Sequence, residues 1–216
     1  MVKGAQKLLR RLFIGSGVTG VYPSYAGALA AVPKTRKVGY DNPETSNMYP
    51  FLLELSRVDS GELELAQTEC DLARIARDSL EFIGPLAKQK NAVLRDSLQS
   101  VTVRGDAARL GQVIINLLNN ALQHNADGVE ISLTVERKGD NAILRVADNG
   151  VGIPAEALPQ VFDRFYRADK SRSSATGGHG LGLAISKAII EAHHGSIRAE
   201  SEPGRGVAFI IELPLK

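Results

Sequence analysis

The most regular alternation of apolar and polar positions lies in residues 106–125, DAARLGQVIINLLNNALQHN. At about 100° per residue, the apolar side chains of this segment fall on one broad face of a helix. These side chains are Leu110, Ile114, Leu117, Leu118 and Ala121. The pattern predicts an amphipathic helix whose apolar face belongs to the core.

Carboxamides occupy another face of this predicted helix, at Gln112, Asn116, Asn120 and Gln123. Asn116 and Asn120 are one turn apart, so their amides project side by side and can offer neutral oxygens to Mg2+ carried on phosphates. Alternatively, Asn119 and Asn120 cap or hydrogen-bond the end of the helix. The helix by itself leaves both interpretations open.

A second helix and two short strands follow from other patterns. Apolar residues recur with helical spacing in residues 71–90, with Gly84 and Pro85 as a late interruption. Residues 93–95 and 101–104 are candidates for short strands. We expect the helix to pack beside the asparagine-bearing one.

Two hairpins complete the predicted fold. Residues 129–137 alternate, turn at residues 138–140 and return at residues 142–147. Residues 197–201 and 207–213 form the second hairpin. These elements predict an α+β fold, a two-layer α/β sandwich with a mixed, mainly antiparallel sheet and helices on one face.

Asp148 follows the strand-like run LRVA, which places a carboxylate at the end of a strand, where it can accept a hydrogen bond. An adenine amino group is a suitable donor. Gly150 and Gly152 allow either a positive φ or the close approach of a flat ring to the backbone. The alternative is that Asp-Asn-Gly is simply a tight turn.

A glycine-rich segment, residues 177–182, precedes a third apolar helical pattern. Free N–H groups at the start of such a helix suit phosphates. Residues 169–178 are charged and serine-rich, which predicts a segment that a nucleotide orders. At the far end of this helix, His193 and His194 are expected to serve the helix dipole and the cap.

Five sequence motifs occur in a fixed order: NLLNNALQHN, DNGVGIP, VFDRFYRADKS, GGHGLGLAI and GRGVAFIIELP. In that order they resemble the N, G1, F, G2 and G3 boxes of the ATP-binding domain of bacterial two-component sensor histidine kinases. A single glycine motif is a weak signal, whereas spaced boxes in the family's order are specific. The resemblance extends roughly from residue 51 to the C-terminus.

The resemblance implies a site for ATP and Mg2+. Asp148 would hold adenine, Asn120 assisted by Asn116 would bind Mg2+, and His124 would lie near the sugar and phosphates. Arg167 and Lys170 would neutralise phosphate charge, unless they are solvated loop charges. The remaining residues implied to bind nucleotide are Gly150, Gly152, Gly178, His179, Gly180, Leu181, Gly182 and Leu183.

The position of Asn116 bears on the type of reaction. Gyrase-like and chaperone-like ATPases of the same fold carry a water-activating Glu there, so phosphoryl transfer is favoured over hydrolysis. Two departures from the family pattern predict weaker nucleotide binding. Gln123 replaces a Lys or Arg, which removes a charge-assisted contact, and Val207 replaces a Thr.

The histidines define the expected domain organisation. Residues 51–65 resemble the end of the family's dimerisation and phosphoacceptor hairpin with its linker, and residues 66–216 the ATP-binding domain. The four histidines of the chain begin only at His124, so no phosphoacceptor His-Glu-x-x-x-Pro segment is present. We therefore expect a chain from a truncated or frame-disrupted sensor kinase gene.

Residues 1–50 lie outside the resemblance and admit three interpretations. A membrane span or signal peptide is suggested by a basic start and an uncharged run, but glycines and prolines dilute that run. A dinucleotide fingerprint is suggested by Gly15, Gly17 and Gly20, but Pro23 spoils the helix that must follow. An irregular leader is favoured.

Composition narrows the class of protein further. With 44% hydrophobic and 23% charged residues among 216, the chain suits one main domain with appendages. A net charge of +2 without a basic stripe argues against a nucleic-acid partner. The single Cys70 forms no internal disulfide and fits a reducing, cytoplasmic compartment, with a membrane reached only through a parent kinase.

Three functions are compatible with these features. The first is a histidine kinase catalytic domain that phosphorylates only a His supplied in trans, with a response regulator downstream. The second is a non-catalytic nucleotide-binding or decoy module. The third is a serine kinase of the anti-sigma type, which the hairpin-like residues 51–64 disfavour.

Overall fold

The computed structural model describes residues 65–167 and 180–215. In chain order the elements are β1 (Thr68–Asp71), α1 (Leu72–Gln89), β2 (Val93–Leu98), β3 (Thr102–Gly105), α2 (Ala107–His124), β4 (Glu130–Lys138), β5 (Asn141–Asp148), a short 3-10 helix (Leu158–Gln160), α3 (Gly182–Ala192), β6 (Ser196–Ser201) and β7 (Val207–Pro214). The predicted leader, the hairpin remnant at residues 51–64, and three predicted site residues (Lys170, Gly178 and His179) lie outside the described residues.

The main sheet has five strands in the order β2-β4-β5-β7-β6. β2 runs parallel to β4, and every other neighbouring pair is antiparallel. On this sheet α1 packs against β2 and β4, α2 against β5, and α3 against β6. The predicted α+β sandwich, with a mixed and mainly antiparallel sheet, is confirmed.

Both predicted hairpins are confirmed, and their alternation explains the burial. In β4, Ile131, Leu133 and Val135 are buried against the helices, while Ser132 and Thr134 between them remain partly exposed. Gly139 at the turn has φ of 63°, a conformation that glycine adopts without strain. The period-2 pattern therefore fixes which face of the sheet meets the helical layer.

Helix α1 runs through the predicted interruption, so that prediction was wrong. Asp71 caps the helix by accepting the Ala73 N–H at 3.0 Å, and the helix continues past Pro85 to Gln89. Pro85 and Glu81, the residue whose carbonyl loses its partner there, both lie at exposed positions. Water can serve that carbonyl, so the proline weakens the helix without ending it.

The two predicted short strands exist but belong to different sheets. β2 joins the edge of the main sheet, whereas β3 pairs with β1 in a separate two-stranded sheet. Local sequence pattern did not predict β1 or the parallel pairing of β2 with β4. Both depend on partners distant in the chain.

Helix α2 lies at the centre of the molecule. It contacts α1 on one side and α3 on the other, and its apolar face packs on the sheet. Leu117 and Leu118 are fully buried there. Because α2 ends at His124 beside the end of β5, the packing brings the asparagine-bearing turns close to Asp148. Within the described ranges, no helix combines the length and hydrophobicity that a membrane crossing requires.

Candidate nucleotide-binding site

The start of α2 is fixed by polar contacts that set the helix in place. The Asp106 carboxylate accepts the N–H groups of Ala108 and Arg109 at 3.0 and 3.1 Å. The Asp106 N–H in turn donates to Nε2 of buried His193 at 2.9 Å. The start of α2 is thereby tied to the end of α3.

His193 has a role different from the predicted service to the helix dipole. Its Nε2 accepts a backbone N–H, so the proton lies on Nδ1, which faces the Ile189 carbonyl at 2.7 Å. A neutral ring in this position joins two helices. His194, with φ of 60°, has the left-handed conformation of a residue that ends a helix, which agrees with the predicted cap.

Asn116 connects α2 to the first turns of α3. Its Nδ2 donates to the Ser186 Oγ at 2.9 Å. Its Oδ1 faces Gly182, where an added Cβ atom would lie only 2.5 Å away. The Asn116 amide is therefore held between the two helices, and its oxygen lies at the start of α3.

The other carboxamides of α2 differ in their surroundings. Asn120 is half-buried, one turn beyond Asn116 on the same edge. Gln112, predicted on the polar face, is buried and accepts a hydrogen bond from Arg109 at 3.0 Å. The Asn119 Oδ1 is buried without a hydrogen-bond partner in the part of the chain that the structure describes. Only part of the predicted amide face is thus open to a ligand.

Asp148 is the last residue of β5, as predicted, and is 9% exposed. Its Oδ1 accepts the Gly150 N–H at 2.9 Å. The Asn125 amide and the Val207 N–H lie near this carboxylate and favour its charged form. Burial raises the pKa of the Asp148 carboxyl above its usual value, and these polar groups oppose that rise only in part.

The turn after β5 needs glycine at both predicted positions, for different reasons. Gly152 has φ of 73°, which few side chains tolerate. Gly150 does not have a positive φ, but an added Cβ atom there would overlap the Asn125 carboxamide. Gly150 therefore makes room for a side chain of α2's end.

Hydrogen bonds hold this turn from two sides. The Val151 N–H donates to the Asn125 Oδ1 at 3.0 Å. On the other side, the Ile153 N–H donates to the Ser201 Oγ, and that hydroxyl donates to the Gly206 carbonyl, both at 2.7 Å. The turn is thus a fixed structure that presents Asp148.

His124 lies close enough to both Arg167 and Asp148 to interact electrostatically with each. Desolvation of the ring lowers the pKa of His124 although the residue as a whole is exposed, Arg167 lowers it further, and Asp148 acts in the opposite direction. His124 is therefore neutral at pH 7. The fold brings together three predicted site residues that are separated in sequence.

Gly180, Leu181, Gly182 and Leu183 lead into α3. Gly180 has φ of 66°, its carbonyl accepts the Phe165 N–H at 2.9 Å, and a Cβ atom there would lie 2.8 Å from the Tyr166 carbonyl. Leu181 is buried, and no side chain caps α3 within the described residues. The first N–H groups of α3 thus lack a side-chain acceptor.

These residues fit an adenine nucleotide with Mg2+. A buried carboxylate suits an amino donor, an uncapped helix start suits phosphates, and neutral amide oxygens suit Mg2+ that keeps most of its ligands from phosphates and water. Asp148, the start of α3 and Asn120 supply these groups. Asn116 already donates to Ser186, so only its oxygen remains for a metal.

Sequence reasoning missed three residues that contribute hydrogen bonds to the candidate site. Asn125 looked like an ordinary helix end, Ser186 lay inside an apolar run, and Ser201 stood at the end of a strand. A polar residue on the buried face of a predicted helix was the one available signal, and it applied to Ser186. The others acquire their roles through partners far away in the chain.

Comparison with known proteins agrees with this geometry. The sequence model of the family described as "Histidine kinase-, DNA gyrase B-, and HSP90-like ATPase" matches residues 105–216. The chain therefore belongs to this family, and the part of it that the structure describes is the ATPase domain of a histidine kinase. The relative and the solved structure described next are histidine kinases.

Sensor histidine kinase TrcS of Mycobacterium tuberculosis is 43% identical over 169 residues, which are 76% of this chain and 33% of TrcS. This chain thus spans about a third of that relative's length. The structure of the mycobacterial sensor histidine kinase MprB has a TM-score of 0.61 at 27% identity, covering 69% of this chain and 97% of that one.

A structure of histidine kinase ThkA in complex with response regulator TrrA shares the fold, with a TM-score of 0.63 at 22% identity. The similarity covers 100% of this chain and 60% of that one.

Proposed function

We propose that this chain is the ATP-dependent catalytic part of a sensor histidine kinase, which transfers the γ-phosphoryl group of ATP to a histidine supplied in trans. The observation that carries the proposal is the buried Asp148 carboxylate, held at the end of β5 beside His124 and the end of α2. A fixed acceptor of this kind suits the adenine amino group.

The chain's own residues would bind and orient the nucleotide. Asp148 would accept a hydrogen bond from the amino group of the base. The N–H groups at the start of α3 would bind the phosphates, and Asn120 would hold the Mg2+ that the phosphates carry. Arg167, close to His124, adds positive charge near the phosphates. Bound Mg2+ would neutralise charge on the transferred group. Lys170, Gly178 and His179 remain proposed nucleotide-binding residues.

Transfer to a side chain is favoured over hydrolysis by the surroundings of Asn116. A water-activating carboxylate would be needed one turn before Asn120, and Asn116 there is instead hydrogen-bonded to Ser186. In the proposed step the histidine nitrogen forms a bond to the γ-phosphorus, the bond to the β,γ-bridging oxygen breaks, and ADP leaves.

The acceptor histidine is proposed to come from another hairpin because the sequence has no histidine before His124. A response regulator is the proposed recipient of the phosphoryl group, and the ThkA complex with TrrA supports this kind of partner. We propose a cytoplasmic location, since ATP is the substrate, with membrane attachment only through a parent kinase.

The test is a transfer assay with γ-labelled ATP, Mg2+ and the purified phosphoacceptor hairpin of a related sensor kinase. We expect label on the hairpin with the native chain, and none when the hairpin's histidine is replaced by Gln or when the chain carries Asn120→Ala. Nucleotide binding without transfer would favour the decoy module instead. Label released as free phosphate at the same rate without the hairpin would contradict the transferase proposal.

A further inference from the structure

Asn125 joins three segments of the site through one carboxamide. Its Nδ2 donates to the Ala121 carbonyl at 2.9 Å, and its Oδ1 accepts the Val151 N–H at 3.0 Å. The same side chain lies near the Asp148 carboxylate and favours its charged form. The end of α2, the end of β5 and the turn after β5 are thus connected by a single residue.

This network fixes the orientation of the Asn125 amide. The Nδ2 and the Oδ1 of this amide each have a hydrogen-bond partner of the complementary kind. A flipped amide would direct its oxygen at the Ala121 carbonyl and the Asp148 carboxylate. The unflipped orientation is therefore the only one without repulsion.

Gly150 makes this contact sterically possible. A Cβ atom at Gly150 would overlap the Asn125 carboxamide, and φ at this position is not positive. Glycine is therefore needed here because Asn125 occupies the space. The absence of a side chain at Gly150 thus leaves the space that the Asn125 carboxamide fills near Asp148.

The consequence concerns which base the site accepts. The Asp148 Oδ1 accepts the Gly150 N–H, while a carboxylate has about four lone-pair positions. The carboxylate therefore keeps capacity to receive a donor. Adenine offers an amino group there, whereas guanine presents a carbonyl oxygen, which a fixed carboxylate repels.

We propose that Asn125 is a positioning residue that sets the preference for adenine by holding the Asp148 carboxylate against the turn at Gly150. The proposal rests on the proposed nucleotide-binding function and adds to it the source of base selectivity. Without Asn125 the turn at Gly150 loses an anchor and the carboxylate gains freedom, so it discriminates less between an amino group and a carbonyl.

The test compares Asn125→Ala with Asn149→Ala in the full chain, by calorimetric titration with Mg-ATP and Mg-GTP. Asn149 is a matched control because it lies in the same turn, but its Oδ1 accepts the Glu130 N–H at 2.9 Å. We expect Asn125→Ala to weaken ATP binding about tenfold and GTP binding less than about twofold. Asn149→Ala should leave the ATP-to-GTP ratio unchanged.

A second readout separates positioning from general loosening of the fold. The Asp148 carboxyl can be titrated by carbon NMR, and its pKa should rise in Asn125→Ala because a neighbouring amide that favours the charged form is lost. The same pKa should not move in Asn149→Ala. If Asn125→Ala does not fold, Asn125→Asp keeps the size and the acceptor for Val151 but directs a second oxygen at the Ala121 carbonyl and Asp148, and it should lose selectivity as well.

The steric pairing gives an independent check. Gly150→Ala should weaken ATP binding in the native background, because the new Cβ displaces Asn125. The same substitution should have little further effect in Asn125→Ala, where the space is free. Additive losses in the double variant would contradict the pairing.

The titrations distinguish a failure of the proposed function from a failure of the role assigned to Asn125. A wild-type chain that binds neither nucleotide overturns the proposed function, and the inference with it. A wild-type chain that prefers ATP, with the same preference in Asn125→Ala and Asn125→Asp, overturns only the role of Asn125.

Discussion

Helix α2 meets the rest of the protein in different ways at its two ends. At its start, the cap carboxylate of Asp106, the Asp106 N–H and the ring of His193 all bond to other groups of the fold. At its end, the half-buried Asn120 and the exposed His124 lie on a polar edge beside Asp148. One helix therefore combines an end that serves stability with an end that we propose serves a ligand.

The difference lies in what completes each set of hydrogen bonds. At the start, the protein itself supplies the partners, so removing one leaves a buried group unsatisfied. At the end, Asp148 keeps acceptor capacity, and its pKa is raised by burial. Polar groups that the fold leaves incomplete at neutral pH are typical of functional sites.

The largest expected effect belongs to the start of α2. His193→Ala should lower the free energy of unfolding by about 3 kcal/mol, because it leaves a cavity and unpairs the Asp106 N–H and the Ile189 carbonyl. Urea denaturation measures this loss. The adjacent, exposed His194 is the control, and His194→Ala should change stability by less than about 0.5 kcal/mol. Equal losses of stability in His193→Ala and His194→Ala would show that the hydrogen bonds of His193 do not stabilise the start of α2.

Asp148→Asn tests the proposed ligand-binding region beside the end of α2. ATP binding should weaken by about 1.5–3 kcal/mol, the usual contribution of a hydrogen bond to a charged group. Calorimetry gives the dissociation constant, and circular dichroism checks that the fold is retained. Unchanged ATP affinity would place the base elsewhere. His193→Ala, measured where it is folded, should keep near-native affinity.

The pH dependence of stability tests whether the pKa of Asp148 is raised in the folded protein. Burial raises the pKa of Asp148, so the protonated carboxyl stabilises the fold below the usual carboxyl pKa, and this contribution is lost as pH rises through the raised value. Asp148→Asn cannot titrate. The unfolding free energy of the variant minus that of the wild type should therefore increase with pH across this window. A difference that stays flat or falls would contradict the raised pKa.

A smaller effect is expected at Ser186, which holds Asn116 between α2 and α3. Ser186→Ala should weaken Mg-ATP binding by about 1 kcal/mol, and Ser186→Thr should restore part of it. Ser79 is a matched buried serine in α1, whose hydroxyl donates to the Ile75 carbonyl at 2.8 Å. Ser79→Ala should leave Mg-ATP affinity unchanged. If the two alanine variants bind Mg-ATP equally, Ser186 has no part in the site.

The smallest expected effect is a gain. His194 has φ of 60° after the end of α3, a conformation that costs an ordinary residue more than glycine. His194→Gly should raise the free energy of unfolding by about 0.5–1 kcal/mol, measured by thermal or urea denaturation. Nucleotide affinity should not change. A loss of stability would mean that the His194 ring makes a contact that stabilises the fold by more than glycine gains from the positive φ.

Local patterns were sufficient for much of the fold. The α2 helix, both hairpins and the position of Asp148 at a strand end follow from periodicity within short windows. Gln112 and Pro85 show the limits of this approach. Gln112 lies on the polar face of the predicted helix yet is buried, and Pro85 lies inside a helix that it was expected to interrupt.

The site could be predicted as a set of residue types, but its internal connections could not. Ordered motifs pointed to Asp148, Asn116 and Asn120, whose chemical groups are visible in the sequence itself. The bond from Asn116 to Ser186 and the contact of Asn125 with Gly150 join positions 70 and 25 residues apart. No local periodicity encodes such pairs.

The sequence by itself determined the order of helices and hairpins, the family and the chemical groups available for a nucleotide, because these depend on neighbouring residues and short motifs. Only the tertiary structure decided that β2 pairs in parallel with β4, that His193 joins two helices, and that Asn125 packs against the turn at Gly150. These features arise when close packing brings distant backbone and side-chain groups within hydrogen-bonding distance. Burial then makes each of those bonds necessary.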